Sequence, residues 1–172
     1  MKNLVSFFIV VLVFSCSVSK PVLTDAQLVE SFITQMKTAI KNKNINPVKQ
    51  RIAYLSSDID ASDLAELAIK RGNRVSKDAF LKKINSDLES TFSKITKTLD
   101  ENYKFKEVER IELSNEKIKE ALEPLNYKVI YQNLYLIYSN GEKDYKVNFS
   151  GIIIKNNKLF FINGFHFGSK FR

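Results

Sequence analysis

The sequence predicts an α+β domain with N-terminal helices packed on a C-terminal antiparallel β-meander. Three observations carry that expectation. Apolar residues recur at helical spacing between residues 25 and 101, three β-rich runs fill residues 127–167, and Asn140-Gly141 and Asn156-Asn157 stand between those runs as turn signals. Helices followed by strands is the order of an α+β domain. At 172 residues, 44% hydrophobic and 27% charged, the chain has the size and composition of one domain. One Cys and one His exclude a disulfide framework, a zinc site built on such side chains and a Cys-His nucleophile pair.

The N-terminus reads as a targeting segment. Lys2 precedes an unbroken apolar run from Phe7 to Phe14, with Leu4 and Val5 just before it, and the small-residue stretch Ser15 to Ser19 follows. This is the layout of an export signal. As a helix, Leu4 to Phe14 reaches roughly 16 Å at ~1.5 Å per residue, about half of a ~30 Å bilayer core, and so does not span. Cys16 stands where a bacterial lipoprotein signal places its lipid-accepting Cys, with Val13, Phe14 and Ser15 in the apolar, variable and small positions ahead of it. Ordinary cleavage after Ser17 or Ser19, which discards Cys16, is the alternative. The chain therefore divides into a lipoprotein-type signal over 1–19, with cleavage before Cys16, and a single α+β domain over 20–172.

Thr24 and Gln27 form a capping-box pattern ahead of Leu28, Phe32, Met36 and Ile40, which predicts a helix from Asp25 to Lys43. Asn46 as N-cap and Pro47 at the first helical position start a short helix in which Val48, Ile52 and Leu55 share a face. Ser57 to Asp60 is turn-like, and Ala61 to Arg71 reads as a helix that Gly72 ends. The longest helix runs from Lys77 to Glu101 behind Ser76, because Leu81, Ile84, Leu88, Phe92, Ile95 and Leu99 recur at spacings of 3, 4, 4, 3 and 4. A strand at Phe105 to Leu113 and a short helix at Asn115 to Leu122, closed by Pro124, lead into the meander.

Two-residue turns fix the register of the meander. A turn at Asn140-Gly141 pairs Ser139 with Glu142 and Leu134 with Val147; one at Asn156-Asn157 pairs Ile153 with Phe160 and Val147 with His166. Strand alternation then sorts the side chains onto two faces. Ile130, Leu134, Leu136, Tyr145, Val147, Phe149, Ile153, Phe160 and Ile162, with His166 at the end, form the core face. Tyr131, Asn133, Tyr135, Lys146, Asn148, Ser150 and Asn163 lie on the other, ringed by Ile152, Ile154, Phe161 and Phe165. Aromatics mixed with amides suit an interface, since Tyr supplies contact area at low entropy cost and amides both donate and accept.

This layout resembles the nuclear transport factor two-like, or cystatin-like cone, superfamily over residues 76–168. The stretch Phe149-Ser-Gly-Ile-Ile-Ile-Lys-Asn-Asn-Lys-Leu-Phe-Phe-Ile-Asn-Gly164 is similar to the final hairpin of its small exported bacterial members, many of them lipoproteins. The region between Asn46 and Arg71 is extra to that pattern. The resemblance implies a curved sheet that, with the helices, often encloses a pocket, used for catalysis in some members and for plain binding in others.

Of the formal charge of +8, residues 127–172 carry +5. Five Arg against 22 Lys is a poor ratio for phosphate or base forks, so no nucleic acid is expected as a partner, and the surplus suits a solvated surface or an anionic membrane. Asp58, Asp60, Asp63 and Glu66 lack the Gly and closing spacing of a calcium loop, and Glu107, Glu109 and Glu112 read as a solvated face. No nucleophile elbow or phosphate loop is present in the sequence, so no catalytic residue, metal or cofactor is assigned. The expected function is a non-catalytic binding or interaction module. It is exported and attached to the envelope membrane through lipid on Cys16, with Tyr131, Asn133, Tyr135, Asn148, Asn163 and His166 holding a protein partner or a second copy through the sheet face. The alternative is a small pocket enzyme with His166 near its site. The signal generates a direct expectation: Cys16→Ser moves the protein from the membrane to the soluble fraction and abolishes metabolic lipid labelling. A mature wild-type N-terminus at Val18 or Lys20 contradicts lipidation.

Overall fold

The computed structural model describes residues 22–60, 76–113, 120 and 122–170. Helix α1 (Asp25–Lys41) starts at the expected capping box: the Thr24 hydroxyl accepts the Gln27 amide, and Gln27 Oε1 accepts the Thr24 amide at 2.8 Å. Helix α2 (Asn46–Lys49) is a single turn with Pro47 at its start. Asn46 does not cap it as expected. Instead the Asn44 side chain accepts the Asn46 amide at 3.0 Å, and Ile45 occupies the cap position. The helix ends before Ile52, which leaves to form a parallel bridge with Phe161, and a 3-10 turn follows at Ala53–Leu55. The helix expected at Ala61–Arg71, with Gly72, and residues 115–119 of the next lie outside the described residues, as does Cys16. Helix α3 (Lys77–Thr98) begins where Ser76 Oγ accepts the Ala79 amide. Its stripe is buried at Leu88, Phe92, Ile95 and Leu99 and half-buried at Leu81 and Ile84.

Four strands follow as an antiparallel sheet in sequence order: β1 (Lys104–Glu112), β2 (Lys128–Ser139), β3 (Asp144–Lys155) and β4 (Lys158–Lys170). The chain is thus an α+β fold with a C-terminal β-meander. The Asn156-Asn157 hairpin is as expected: both residues have positive φ, 49° and 57°, and Lys155 pairs with Lys158 and Ile153 with Phe160. The first hairpin differs by two residues. Ser139 pairs with Asp144, Leu136 with Val147 and Leu134 with Phe149, so Asn140 to Lys143 form a four-residue loop. A two-residue type I′ turn needs positive φ at both positions; Gly141 has it, at 92°, but Asn140 does not. Asn140 Oδ1 instead accepts the amides of Glu142 and Lys143, at 3.0 and 2.8 Å, which closes the longer loop. A shift of two keeps every side chain on its expected face.

A second departure does change faces. Gly151, at φ +68°, lies between Ser150 and Ile152, where the β3–β4 register shifts, and a further shift separates Val129 from Tyr131 on β2. Across this bend the alternation resets. Ile152, Phe161 and Phe165 join Leu134, Leu136, Val147 and Phe149 in the main core against α1, α2 and α3, although alternation put them on the other face. Ile153, Phe160 and Ile162, expected in that core, form a second cluster with Ala53, Tyr54, Ile59, Leu122 and Tyr127. Phe149 is the hub of the main core, with ring centroids of Phe32, Phe161 and Phe165 at 5.2, 5.3 and 5.2 Å.

Two variants test this account. Gly141→Val costs about 1–2 kcal/mol in urea unfolding, because a Cβ there meets nothing within 4 Å and the loss is purely one of backbone strain; unchanged stability contradicts the loop geometry. The Tyr138 hydroxyl is buried with no partner among the described residues, and burial raises its pKa far above the phenol range. Its neutral form is held in the folded chain while the unfolded chain ionises near pH ~10, so stability from this group is present below that pH and falls above it. Tyr138→Phe is therefore expected to be neutral to about 1 kcal/mol stabilising at neutral pH, with a shallower alkaline loss. Strong destabilisation at neutral pH contradicts the orphan hydroxyl.

Candidate functional site

Direct cross-strand pairing builds the side of the sheet that faces away from the main core. One row runs Glu109, Tyr135, Asn148, His166 across all four strands; the row above is Ile111, Asn133, Ser150, Gly164, and the row below is Glu107, Ile137, Lys146, Gly168. Asn133, Tyr135, Lys146, Asn148 and Ser150 are half-buried, and His166 and Gly168 are exposed.

The polar groups form a chain. Asn148 Nδ2 donates to Ser150 Oγ at 3.2 Å, and Ser150 Oγ donates to Asn133 Oδ1 at 2.7 Å. Lys146 Nζ pairs with Glu109 Oε2 at 2.7 Å and lies 4.8 Å from the centroid of the Tyr135 ring. Asn148 Oδ1 is enclosed without a partner among the described residues. A Cβ built on Gly164 would overlap His166 Nε2, so the imidazole lies over the bare backbone of that glycine. This surface offers an aromatic platform, amide donors and acceptors, a hydroxyl and an internally neutralised ion pair. Such groups can contact and orient a polar ligand, and among the described residues no carboxylate pairs with the imidazole.

Four of the six residues expected at the site share this face: Asn133, Tyr135, Asn148 and His166. His166 reaches it through a correction, since the register shift places it opposite Asn148 and Val147 opposite Phe167. Tyr131 does not belong here; beyond the bend it pairs with Ile152 and packs against the main core. Asn163 lies in β4, with its side chain outside the described residues. Glu109 was missed. Within Lys104–Glu112 strand alternation puts Glu107, Glu109 and Ile111 on one side, and that signal makes Glu109 the acidic partner of Lys146 rather than a member of a solvated run.

The region after Asn46 packs beside the sheet. Its described part covers only the end beyond the bend, where Tyr54 and Ile59 pack with Phe160 and Ile162. A separate open cleft of ≈ 400 Å³ lies beside Arg51, Ser56, Asp58 and Lys158. Its basic side chains are engaged: Lys158 pairs with Asp58 at 2.8 Å, Lys49 with Glu89 at 2.6 Å, and Arg51 donates to Gln35 Oε1 at 2.7 Å. His166 does not line it. Four of the seven basic residues in 127–172 are likewise engaged: Lys128 with Asp25, Lys146 with Glu109, Lys158 with Asp58, and Lys155 with Leu125 O at 2.6 Å. Those four therefore do not form one open basic patch. No protein-family model matches the chain, and no curated protein or solved structure matches it significantly.

Proposed function

We propose that this chain is an exported bacterial envelope protein, held at the membrane by lipid on Cys16, that uses the Asn133, Tyr135, Asn148 face as a non-catalytic binding surface for a protein or an extended polar ligand. The observation that supports it best is the combination on that face of a half-buried Tyr, two amides and a hydroxyl, away from the residues that pack the core. Tyr and Asn give contact area and adaptable hydrogen bonding at little entropic cost. The leader sequence supports the location, and the bent sheet packed against helices is in keeping with the cone superfamily that the sequence resembles.

The competing reading, a small pocket enzyme working through His166, has less behind it. That side chain is exposed, the cleft lies elsewhere, and no carboxylate pairs with the imidazole among the described residues.

The test places a photo-crosslinking amino acid at Tyr135 in the cells that make the protein. Discrete crosslinked products are expected, and they disappear when Asn133→Ala and Asn148→Ala are combined, while thermal unfolding shows a folded chain. Crosslinks that persist in that folded double variant, or their absence from the start, contradict the binding face.

A further inference from the structure

The two edges of the sheet differ in kind. In β1, six of nine residues are charged, Lys104, Lys106, Glu107, Glu109, Arg110 and Glu112. A two-fold pairing of β1 with its copy about Val108 sets Lys106 against Arg110 and Glu107 against Glu109, two like-charge oppositions that repel. Such charges are how edge strands are protected from joining.

The opposite edge carries none of this. Between Lys158 and Lys170, β4 has neither a charged residue nor a Pro. Near its start the edge is occupied, because the Phe161 amide donates to Arg51 O at 2.9 Å and Ile52 bridges to Phe161. From Gly164 to Ser169 no backbone partner occupies that edge among the described residues, His166, Gly168 and Ser169 are exposed, and a Cβ on Gly168 meets nothing within 4 Å.

The residues along this open stretch read Gly164-Phe165-His166-Phe167-Gly168, the same in both directions. An antiparallel two-fold axis through His166 therefore sets Phe165 against Phe167 of the copy, Gly164 against Gly168 and His166 against its equivalent. Large meets large and small meets small. In a chain carrying +8, an uncharged edge is also where a second copy approaches with least local repulsion.

We propose that β4 pairs with β4 of a second copy, antiparallel about His166, and joins two four-stranded sheets into one continuous sheet in a symmetric dimer. The contact is isologous and closed, so association stops at two. It uses backbone hydrogen bonds along the edge, as in strand addition, and so goes beyond the binding role of the face. The row Glu109, Tyr135, Asn148, His166 then continues across the two-fold axis into its symmetry mate.

Sedimentation of the processed wild-type protein across a dilution series is the first arm, and a monomer–dimer equilibrium is expected. His166→Asp sets two carboxylates against each other at the axis, and Ser169→Asp places a charge on the shared edge; each shifts the equilibrium to monomer, with folding checked by thermal unfolding. His166→Cys gives a second readout that does not depend on losing anything. Mild oxidation should produce a covalent dimer, because facing positions of paired strands bring two Cβ atoms within disulfide reach, whereas Gln132→Cys, exposed on an inner strand, should not. A wild-type monomer at every concentration, a dimer that survives both Asp variants, or a His166→Cys protein that yields no covalent dimer overturns the proposal. The crosslinking expected from Tyr135 stands or falls separately.

Discussion

The bend in the sheet around Gly151 is the constraint on which the rest of the molecule depends. A regular strand has one buried and one open side along its whole length. Here the side chains that reach the helices are Leu134 and Phe149 before the bend and Ile152 and Phe161 after it, an interval of three residues from Phe149 to Ile152 that unbroken alternation forbids. The meander can therefore be covered on both sides at the Asn156-Asn157 end and on one side at the other. Phe149 sits at the changeover with Phe32, Phe161 and Phe165 around it. Losing such a ring typically costs about 3–5 kcal/mol, a large part of the stability of a domain this size.

The open half-face follows from the same geometry. Because Phe161 and Phe165 are drawn into the main core, Asn133, Tyr135, Asn148 and Ser150 are left over by the packing, and Asn148, Ser150 and Asn133 form a short chain of hydrogen bonds beside the Tyr135 ring. The ion pair of Lys146 with Glu109 holds the Lys side chain near the Tyr135 ring. Half-buried pairs of this kind add modestly to stability, so their contribution here is to fix the shape of the surface.

Much of this was legible in the sequence where the signal is local. The capping box at Thr24, the Ser76 cap, the stripe on α3 and the Asn156-Asn157 turn all rest on short-range chemistry, and all are formed. The first hairpin misled because Asn140-Gly141 satisfies two loop lengths, and the choice depends on the φ of Asn140, which no pattern of residue types specifies. Tyr131 and His166 were misplaced for a related reason. Alternation carries information only within an unbroken strand, and the shifts near Gly151 and Val129 end its reach. A lone Gly in a strand such as Phe149-Ser-Gly-Ile is a warning of a bulge, but not of which residues it re-aims.

The bend is tested most directly by which rings touch Phe149 in solution. In a NOESY spectrum of the labelled protein, the Phe149 ring is expected to show cross-peaks to the rings of Phe161 and Phe165, with Phe160 contacting Tyr54 and Ile162 instead. Cross-peaks from Phe149 to Phe160 and Ile162, with none to Phe161, would mean that regular alternation persists through Gly151 and would contradict both the two-core architecture and the open face derived from it.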